Sequence, residues 1–254
     1  TDRKIFPLFN NVDIVFHLAA KNCISDCQLN PVKTARINVG GTVNVFEAGK
    51  QAAVKKIIYA ESSAIYEGSS FFPTPEEDEN PESFYAVSKM AGKLFADAYI
   101  RFSELNLIAL RYFNVYGPRQ DYRRSIPPLM CALIMQLLKG EQPVIFGNGE
   151  KRRDFVYVDD VNRFHELLIT NPNINNKTFN IGYGKNYSVL EVFKVISKLL
   201  NSQIEPVHKP DLPGEAFQNL ADISRARNIG WEPQINLEKG LELSIAYIRK
   251  YILN

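Results

Sequence analysis

The sequence predicts an α/β protein built on a parallel, doubly wound sheet. Three short runs rich in β-branched and aromatic residues, at 13–20, 57–60 and 106–117, have the character of buried strands. Two longer segments with helical character separate them. Because parallel neighbours need a crossover connection, the order strand, helix, strand, helix, strand favours a parallel sheet.

The first helix is predicted over 32–51, where Asn30 offers a cap and Pro31 a residue suited to the first turn. The second is predicted over 81–102, an amphipathic stretch. The third strand then ends at Gly117 and the following proline.

The sequence pattern changes after Pro118. A helix is predicted over 129–140, then two strands and a Gly-rich turn within 142–161, and another buried strand over 177–184. Ser188 and Glu191 form a capping box for a helix over 189–200, and the last helix lies near 237–252. We therefore expect two interleaved domains, a sheet domain of residues 1–117 and 155–182 and a smaller α/β domain of residues 118–154 and 183–254.

The composition is that of an ordinary globular protein. The 254 residues are 45% hydrophobic, which argues against global disorder, and the net charge of +2 gives no field that attracts nucleic acid or an anionic membrane. Three cysteines are too few for a disulfide framework, and their spacing does not match that of zinc ligands. We expect no metal, no membrane span and a reducing compartment, the cytoplasm.

Tyr85 and Lys89 stand at the start of the second predicted helix. Residues four apart share a helix face, so the phenol and the ammonium point into the same space. A nearby ammonium favours the phenolate and so lowers the pKa of a tyrosine, which suits a general base. The spacing alone leaves a second interpretation open, in which the tyrosine is partly buried and the lysine is solvated.

Polar side chains also follow the neighbouring strands. Ser62 and Ser63 come directly after the second strand, and Asn114 and Tyr116 end the third. The carboxyl ends of parallel strands meet at one edge, where open α/β sheets bind their ligands. A turn or a helix cap is the structural alternative for the two serines.

Together these features resemble the extended short-chain dehydrogenases/reductases, and among them the NAD-dependent nucleotide-sugar epimerase/dehydratase family. The match covers nearly the whole chain in the family's order. It is carried by residues 17–20 (HLAA), 38–48 (NVGGTVNVFEA), 62–66 (SSAIY), 85–89 (YAVSK), 111–120 (RYFNVYGPRQ), 145–161 (IFGNGEKRRDFVYVDDV) and 212–233 (LPGEAFQNLADISRARNIGWEP). The resemblance implies a Rossmann-like NAD-binding domain and a smaller C-terminal α/β domain that binds a nucleotide sugar.

The resemblance also implies roles for individual residues. Tyr85 becomes the catalytic base and acid, Lys89 lowers its pKa and holds the cofactor ribose, and Ser62 binds the reacting hydroxyl. The implied NAD-binding residues are Leu18, Ala19, Ala20, Asn38, Tyr85, Lys89 and Tyr112. The implied substrate-binding residues are Ser62, Ser63, Tyr85, Asn114, Arg153 and Asn219. Taken alone, Arg153 is better explained as a solvated charge beside Lys151 and Arg152.

The sequence departs from the family pattern in several places. Neither the family's Gly-x-x-Gly-x-x-Gly turn nor its acidic residue after the second strand is found, so we expect that about 55–65 amino-terminal residues are missing from this sequence. We also expect that a fragment this short neither binds NAD well nor folds stably. Glu61 and Glu67 stand where small residues are usual and either disturb the pocket or face solvent. Leu212 stands where many relatives carry an arginine that grips the diphosphate.

The two residues after Ser62 indicate which type of reaction to expect. Related 4,6-dehydratases carry an Asp-Glu pair there, whereas this chain has Ser63 and Ala64. We therefore expect NAD-dependent 4-epimerisation of a UDP-hexose, either UDP-glucose/UDP-galactose or the N-acetylated pair. Asn219, four residues after Glu215, is smaller than the tyrosine of some relatives and leaves room for an N-acetyl group.

Two alternatives remain at this stage. One is a dehydratase or reductase acting on another nucleotide sugar. The other is a catalytically silent dinucleotide-sensing protein, against which the Tyr85/Lys89 pair argues. As partners we expect a UDP-sugar and a second copy of the chain, since relatives dimerise through a four-helix bundle. The helices after Pro31 and Pro81 would supply it, the latter through Met90, Leu94 and Tyr99; no nucleic-acid feature is present.

Overall fold

The computed structural model describes residues 3–124, 127–211 and 216–253. Its central sheet has four parallel strands in the order β1-β2-β3-β7, which confirms the predicted fold class. These strands are β1 (Ile14–His17), β2 (Lys56–Ser62), β3 (Leu107–Tyr112) and β7 (Thr178–Ile181).

Helices cover both faces of this sheet. On one face lie α3 (Gly41–Gln51) and α4 (Phe84–Phe102), and α1 (Ile24–Leu29) and α2 (Pro31–Thr34) contact α4; on the other face lie α6 (Val158–Thr170) and α8 (Ser224–Arg227). Along β2 the side chains alternate between the two layers. Ile57 and Tyr59 pack with Phe46 of α3, whereas Ile58 packs with Phe164 of α6. Burial on both faces explains why β2 and β3 are almost continuously apolar.

A second layer of smaller elements packs beside the main sheet. Its strands are β4 (Asn114–Tyr116), β6 (Arg152–Tyr157) and β8 (Asn186–Ser188) in one sheet, and β5 (Val144–Phe146) and β9 (Val207–Lys209) in another. Its helices are α5 (Leu129–Leu138), α7 (Val189–Leu200) and α9 (Leu237–Tyr251). Leu133, Ile196 and Leu241 belong to the core that α5, α7 and α9 share. β6 pairs with both β4 and β8, so the predicted domain boundary at residue 154 falls inside a strand and stays a prediction.

Two predicted helix starts are confirmed in atomic detail. The Asn30 side chain accepts a hydrogen bond from the backbone N–H of Lys33 at 3.1 Å. At α7, Ser188 Oγ accepts from the backbone N–H of Glu191, and the Glu191 carboxylate accepts from that of Ser188. Each contact satisfies backbone N–H groups that lack partners in the first helical turn.

Other boundaries differ from the prediction. The helix predicted over 32–51 is interrupted by a wider, π-helical turn over Ala35–Gly40, and the strand predicted over 106–117 is split into β3 and β4. Helices α1, α6 and α8 were not predicted, nor was the 3₁₀-helix over Arg3–Phe9. Within the described ranges, no helix is long and apolar enough to span a membrane, and no cluster of His, Cys, Asp and Glu forms a metal site.

Candidate active site

A cleft of about 590 Å³ lies beside the carboxyl ends of β2 and β3. It contains most of the side chains that the sequence singled out. The predicted site residues that line it are Leu18, Ala20, Ser62, Ser63, Tyr85, Lys89, Tyr112, Asn114, Arg153 and Asn219. Two of the predicted residues, Ala19 and Asn38, do not line it.

Ser62 reaches the cleft because it is the last residue of β2 and starts a 3₁₀-helix over Ser63–Tyr66. Its Oγ accepts a hydrogen bond from the backbone N–H of Ala64 at 3.2 Å. The serine therefore caps this short helix, as the structural alternative anticipates, and also lines the cleft.

Tyr85 and Lys89 reach the cleft from the first turns of α4. Ser83 caps this helix, accepting from the backbone N–H of Ala86 at 3.1 Å. Tyr85 is 8% exposed and Lys89 9% exposed. Lys89 Nζ donates to the carbonyl oxygen of Ala60 at 2.7 Å, which ties α4 to β2. The predicted shared face is thus present, with both polar ends held beside the end of β2.

The electrostatics of this pair differ from the expectation. Burial raises the pKa of Tyr85, and a hydrogen bond with Ser62 partly opposes that rise. Burial also lowers the pKa of Lys89 itself to about 8, partly opposed by the negative charge of Glu61. In the ligand-free protein the phenol is therefore the favoured form of Tyr85.

Asn38 lies behind the cleft wall. Its side-chain oxygen accepts from the backbone N–H of Lys21 at 2.8 Å, and its amide donates to the Lys21 carbonyl and to Ser88 Oγ, both at 2.9 Å. These contacts brace the segment after β1 against α4. The structure therefore gives Asn38 a supporting position, and its contact with the cofactor stays a prediction.

Asn114, Asp154 and Asn219 form a network on the opposite wall. Asn114 donates to the Asp154 carbonyl at 2.9 Å and to Asn219 Oδ1 at 3.3 Å, and that oxygen also accepts the Asp154 backbone N–H at 2.8 Å. The buried Asp154 carboxylate accepts three backbone N–H bonds, from Tyr183, Gly184 and Ala221. Burial raises the pKa of Asp154 to about 6 despite these donors. The network fixes the segment that carries Asn219.

Arg153 lines the cleft from β6. Its guanidinium donates to the carbonyl oxygens of Arg152 at 2.9 Å and Phe217 at 3.2 Å. These contacts hold the side chain along the cleft, in contrast to the solvated interpretation. Leu212 and Glu215, the other positions discussed for the diphosphate and the sugar, lie outside the described residues.

Glu61 does not face solvent, because it is 3% exposed, and it lies among the residues that line the cleft. Its carboxylate forms an ion pair with Arg111 Nε at 2.7 Å and accepts from the Tyr59 hydroxyl at 2.7 Å. Arg111 is fully buried, and it also donates to the Tyr66 hydroxyl and to the Glu79 carboxylate. The carboxylate is accommodated because its partner lies beside it on β3.

Glu67 does line the cleft. Its two carboxylate oxygens accept from the backbone N–H of Ser83 at 2.8 Å and from Ser83 Oγ at 3.0 Å. Burial raises the pKa of Glu67. Like Glu61, Glu67 therefore shares the cleft with Tyr85.

The structure adds residues that the sequence interpretation missed. The Tyr112 hydroxyl lies 2.7 Å from His165 Nε2, and both side chains line the cleft. Burial lowers the pKa of His165. His165 was overlooked because the start of α6 was taken as the end of a strand. The amphipathic spacing of 158–170 was the available signal. Gln218 lines the same cleft, next to Asn219.

Comparison with known proteins places these features in a family. The model of the NAD dependent epimerase/dehydratase family matches residues 2–182. The UDP-glucose 4-epimerase of Thermotoga maritima, solved with UDP-glucose, is 36% identical with a TM-score of 0.93, covering 98% of this chain and 80% of that chain.

Two further similar structures are of epimerases that are named for other UDP-sugars. The UDP-N-acetylglucosamine 4-epimerase of Methanobrevibacter ruminantium M1, in complex with UDP-N-acetylmuramic acid, is 31% identical with a TM-score of 0.93. The UDP-glucuronic acid 4-epimerase of Bacillus cereus, in complex with UDP-glucuronic acid and NAD, is 29% identical with a TM-score of 0.91. Each covers 98% of this chain and 80% of the other.

Proposed function

Because this chain belongs to the NAD dependent epimerase/dehydratase family, we propose that it catalyses the 4-epimerisation of a UDP-hexose. The observation that carries the proposal is the grouping of Ser62, Tyr85 and Lys89 in one cleft at the carboxyl edge of the sheet. No acid–base pair follows Ser62 in the chain, where Ser63 and Ala64 stand. This set suits a reversible oxidation at one carbon better than an elimination of water.

The cleft fits NAD, the cofactor of the family. Leu18 is 51% exposed and lines the cleft beside Ala20, so an apolar wall is available to a ligand. Tyr85 and Lys89 add O–H and N–H donors, and an ammonium has three donors, of which Ala60 takes one. These four residues and Tyr112 are the ones that we assign to the cofactor. When bound, NAD supplies a reversible hydride acceptor for C4 of the sugar.

Tyr85 acts as the base that removes the proton from the sugar 4-hydroxyl and later returns it. Ser62 holds that hydroxyl by a hydrogen bond, and its own bond with Tyr85 stabilises the phenolate. Lys89, fixed by Ala60, provides a positive charge that favours a negative oxygen in the cleft. The low exposure of Tyr85 and Lys89 keeps bulk water away from the proton transfer.

The diphosphate lies against the wall formed by Arg153 and Asn114. A guanidinium fork matches phosphate oxygens in shape and charge, and a side-chain amide adds a donor. Asn219 lies beside Asn114 and lines the sugar end with Ser63. The substrates proposed for this site are UDP-glucose/UDP-galactose or the N-acetylated pair.

A second copy of the chain is the proposed protein partner. On α4 an apolar stripe is exposed, with Leu94 at 58%, and its other members are Val87, Phe95 and Phe102. The prediction that Met90, Leu94 and Tyr99 form the outer face of α4 is partly wrong. Met90 packs against the core near Tyr66, and Tyr99 packs against Phe46. The stripe is suited to helix packing between two copies.

The product distribution tests the proposed function. The full-length protein is incubated with NAD and with UDP-glucose or UDP-N-acetylglucosamine, and the sugar protons are followed by NMR. We expect a galacto-configured product from at least one of the two sugars. A 4-keto-6-deoxy product, or no conversion of either sugar, would reject 4-epimerisation of these UDP-hexoses.

A further inference from the structure

The cleft holds a carboxylate that the proposed reaction does not use. Glu67 lines the same wall as Ser62, Ser63 and Tyr85. Its charge raises the pKa of Tyr85, so the carboxylate lies within electrostatic reach of the phenol that handles the 4-hydroxyl. Burial raises the pKa of Glu67 itself, which indicates surroundings where water screens charge weakly.

This carboxylate is held in one position. Its oxygens accept from the backbone N–H and the Oγ of Ser83, at 2.8 and 3.0 Å. Ser83 in turn caps α4, the 19-residue helix that carries Tyr85. Hydrogen bonds donated to a carboxylate favour its charged form, as does the positive end of a helix dipole. Glu67 is therefore a fixed negative charge in the cleft wall.

The neighbouring charges do not cancel Glu67 at this end of the cleft. The carboxylate of Glu82 lies close enough to raise the pKa of Glu67 further. Arg111 is engaged by the carboxylates of Glu61 and Glu79, and Lys89 is held against Ala60. A ligand group near the reacting end therefore meets the Glu67 carboxylate and the Lys89 ammonium, which both line the cleft.

We propose that Glu67 makes this site select UDP-hexoses with an uncharged sugar over UDP-hexuronic acids. The inference rests on the proposed function, because it takes Ser62 and Tyr85 to hold the sugar 4-hydroxyl. C5, which bears C6, is the neighbour of C4, so a uronic acid places its carboxylate beside the 4-hydroxyl. There it meets the fixed charge of Glu67, and like charges in a weakly screened cleft discriminate against a ligand.

Binding constants test this selection directly. Isothermal titration calorimetry gives the Kd of UDP-glucose and of UDP-glucuronate for the NAD-loaded full-length protein. We expect the wild type to bind UDP-glucuronate at least about tenfold more weakly, and Glu67→Gln to shrink that ratio to about threefold or less. Ser83→Ala removes the hydroxyl partner but keeps the charge, so its ratio stays near the wild type. Glu238→Gln, on α9, controls for net charge.

Several results would overturn the inference. They are a wild-type ratio near one, an unchanged ratio in Glu67→Gln, and a ratio in Ser83→Ala that falls as far as in Glu67→Gln. Turnover of UDP-glucose, followed by NMR on the same samples, separates this inference from the proposed function. Turnover with equal affinities rejects the selection alone, whereas the expected ratio without turnover rejects 4-epimerisation alone. If neither UDP-sugar binds, both are rejected.

Discussion

Glu61 and Arg111 lie opposite each other on neighbouring parallel strands and form a fully buried ion pair of 2.7 Å. The guanidinium extends from this pair to the Tyr66 hydroxyl and the Glu79 carboxylate. It thereby connects the strand that ends in Ser62 to the loop that leads to α4. The ion pair supports the geometry of the site, and Arg111 itself does not line the cleft.

Breaking this ion pair from one side destabilises the fold. Arg111→Met leaves the buried Glu61 carboxylate without its main partner, and we expect a loss of about 3–5 kcal/mol in the free energy of unfolding. The double variant Glu61→Gln/Arg111→Met removes both charges and loses less than the sum of the single changes. Denaturant unfolding measures all three. Lys55→Met, which removes the exposed pair with Asp13, serves as control, and additive losses would contradict the coupling.

Tyr85→Phe removes the hydroxyl that handles the proton and keeps the ring. We expect turnover to fall by about 10³-fold or more, while UDP binding, measured by calorimetry, changes little because the diphosphate wall is intact. An active Tyr85→Phe variant would reject the assigned role.

The pH profile reports on Lys89. Its pKa is lowered by burial to about 8, so the ammonium is charged below that pH and is lost as the pH rises through it. If the charge supports the Tyr85 phenolate, kcat/KM loses this support above about pH 8. Lys89→Arg keeps the charge at all these pH values, and we expect the decline near pH 8 to be absent from its profile. The same decline in both proteins would contradict this role.

Asp154→Asn tests the anchor of the Asn219 wall. Asparagine cannot accept the bonds from Tyr183, Gly184 and Ala221 with two equivalent oxygens, and its amide N–H groups face other donors. We expect a loss of about 2–4 kcal/mol in unfolding free energy and a weaker Kd for UDP. The exposed Asp159→Asn is the matched control, and equal stability of the two variants would show that the anchor is unimportant.

Leu94→Glu tests the proposed dimer. A charge in the middle of the α4 stripe opposes its burial between two copies, so we expect a dimer to become a monomer in light scattering after size exclusion. Leu243→Glu, at a partly exposed leucine of α9, controls for the added charge. A wild-type monomer, or a dimer that persists in Leu94→Glu, would reject this interface.

Local patterns were sufficient for much of the fold. The capping box of Ser188 and Glu191 is defined by residues three apart, and the shared face of Tyr85 and Lys89 by residues four apart. Such short-range features follow from helix geometry alone, so the sequence displays them directly. The strand ends that carry Ser62 and Asn114 were predictable for a similar reason, since apolar runs end where the polar residues begin.

The hydrogen-bond partners of Glu61 and Asn38 could not be predicted from such short-range patterns. The partner of Glu61 lies 50 residues away on β3, and only the strand register brings the two together. Asn38 is turned toward Lys21 and Ser88 from the π-helical turn, which interrupts the regular spacing assumed for a single helix. Both outcomes depend on tertiary pairing, which residue periodicity does not encode.

The fate of the hydrogen on C4 tests the central claim most directly. UDP-glucose deuterated at C4 is incubated with the full-length protein and NAD in ordinary water, and the product is examined by NMR and mass spectrometry. A transient oxidation within the cleft, with hydride returned to the same carbon, predicts UDP-galactose that retains the deuterium at C4. A galacto-configured product that has lost the deuterium to water would contradict oxidation and return at that carbon.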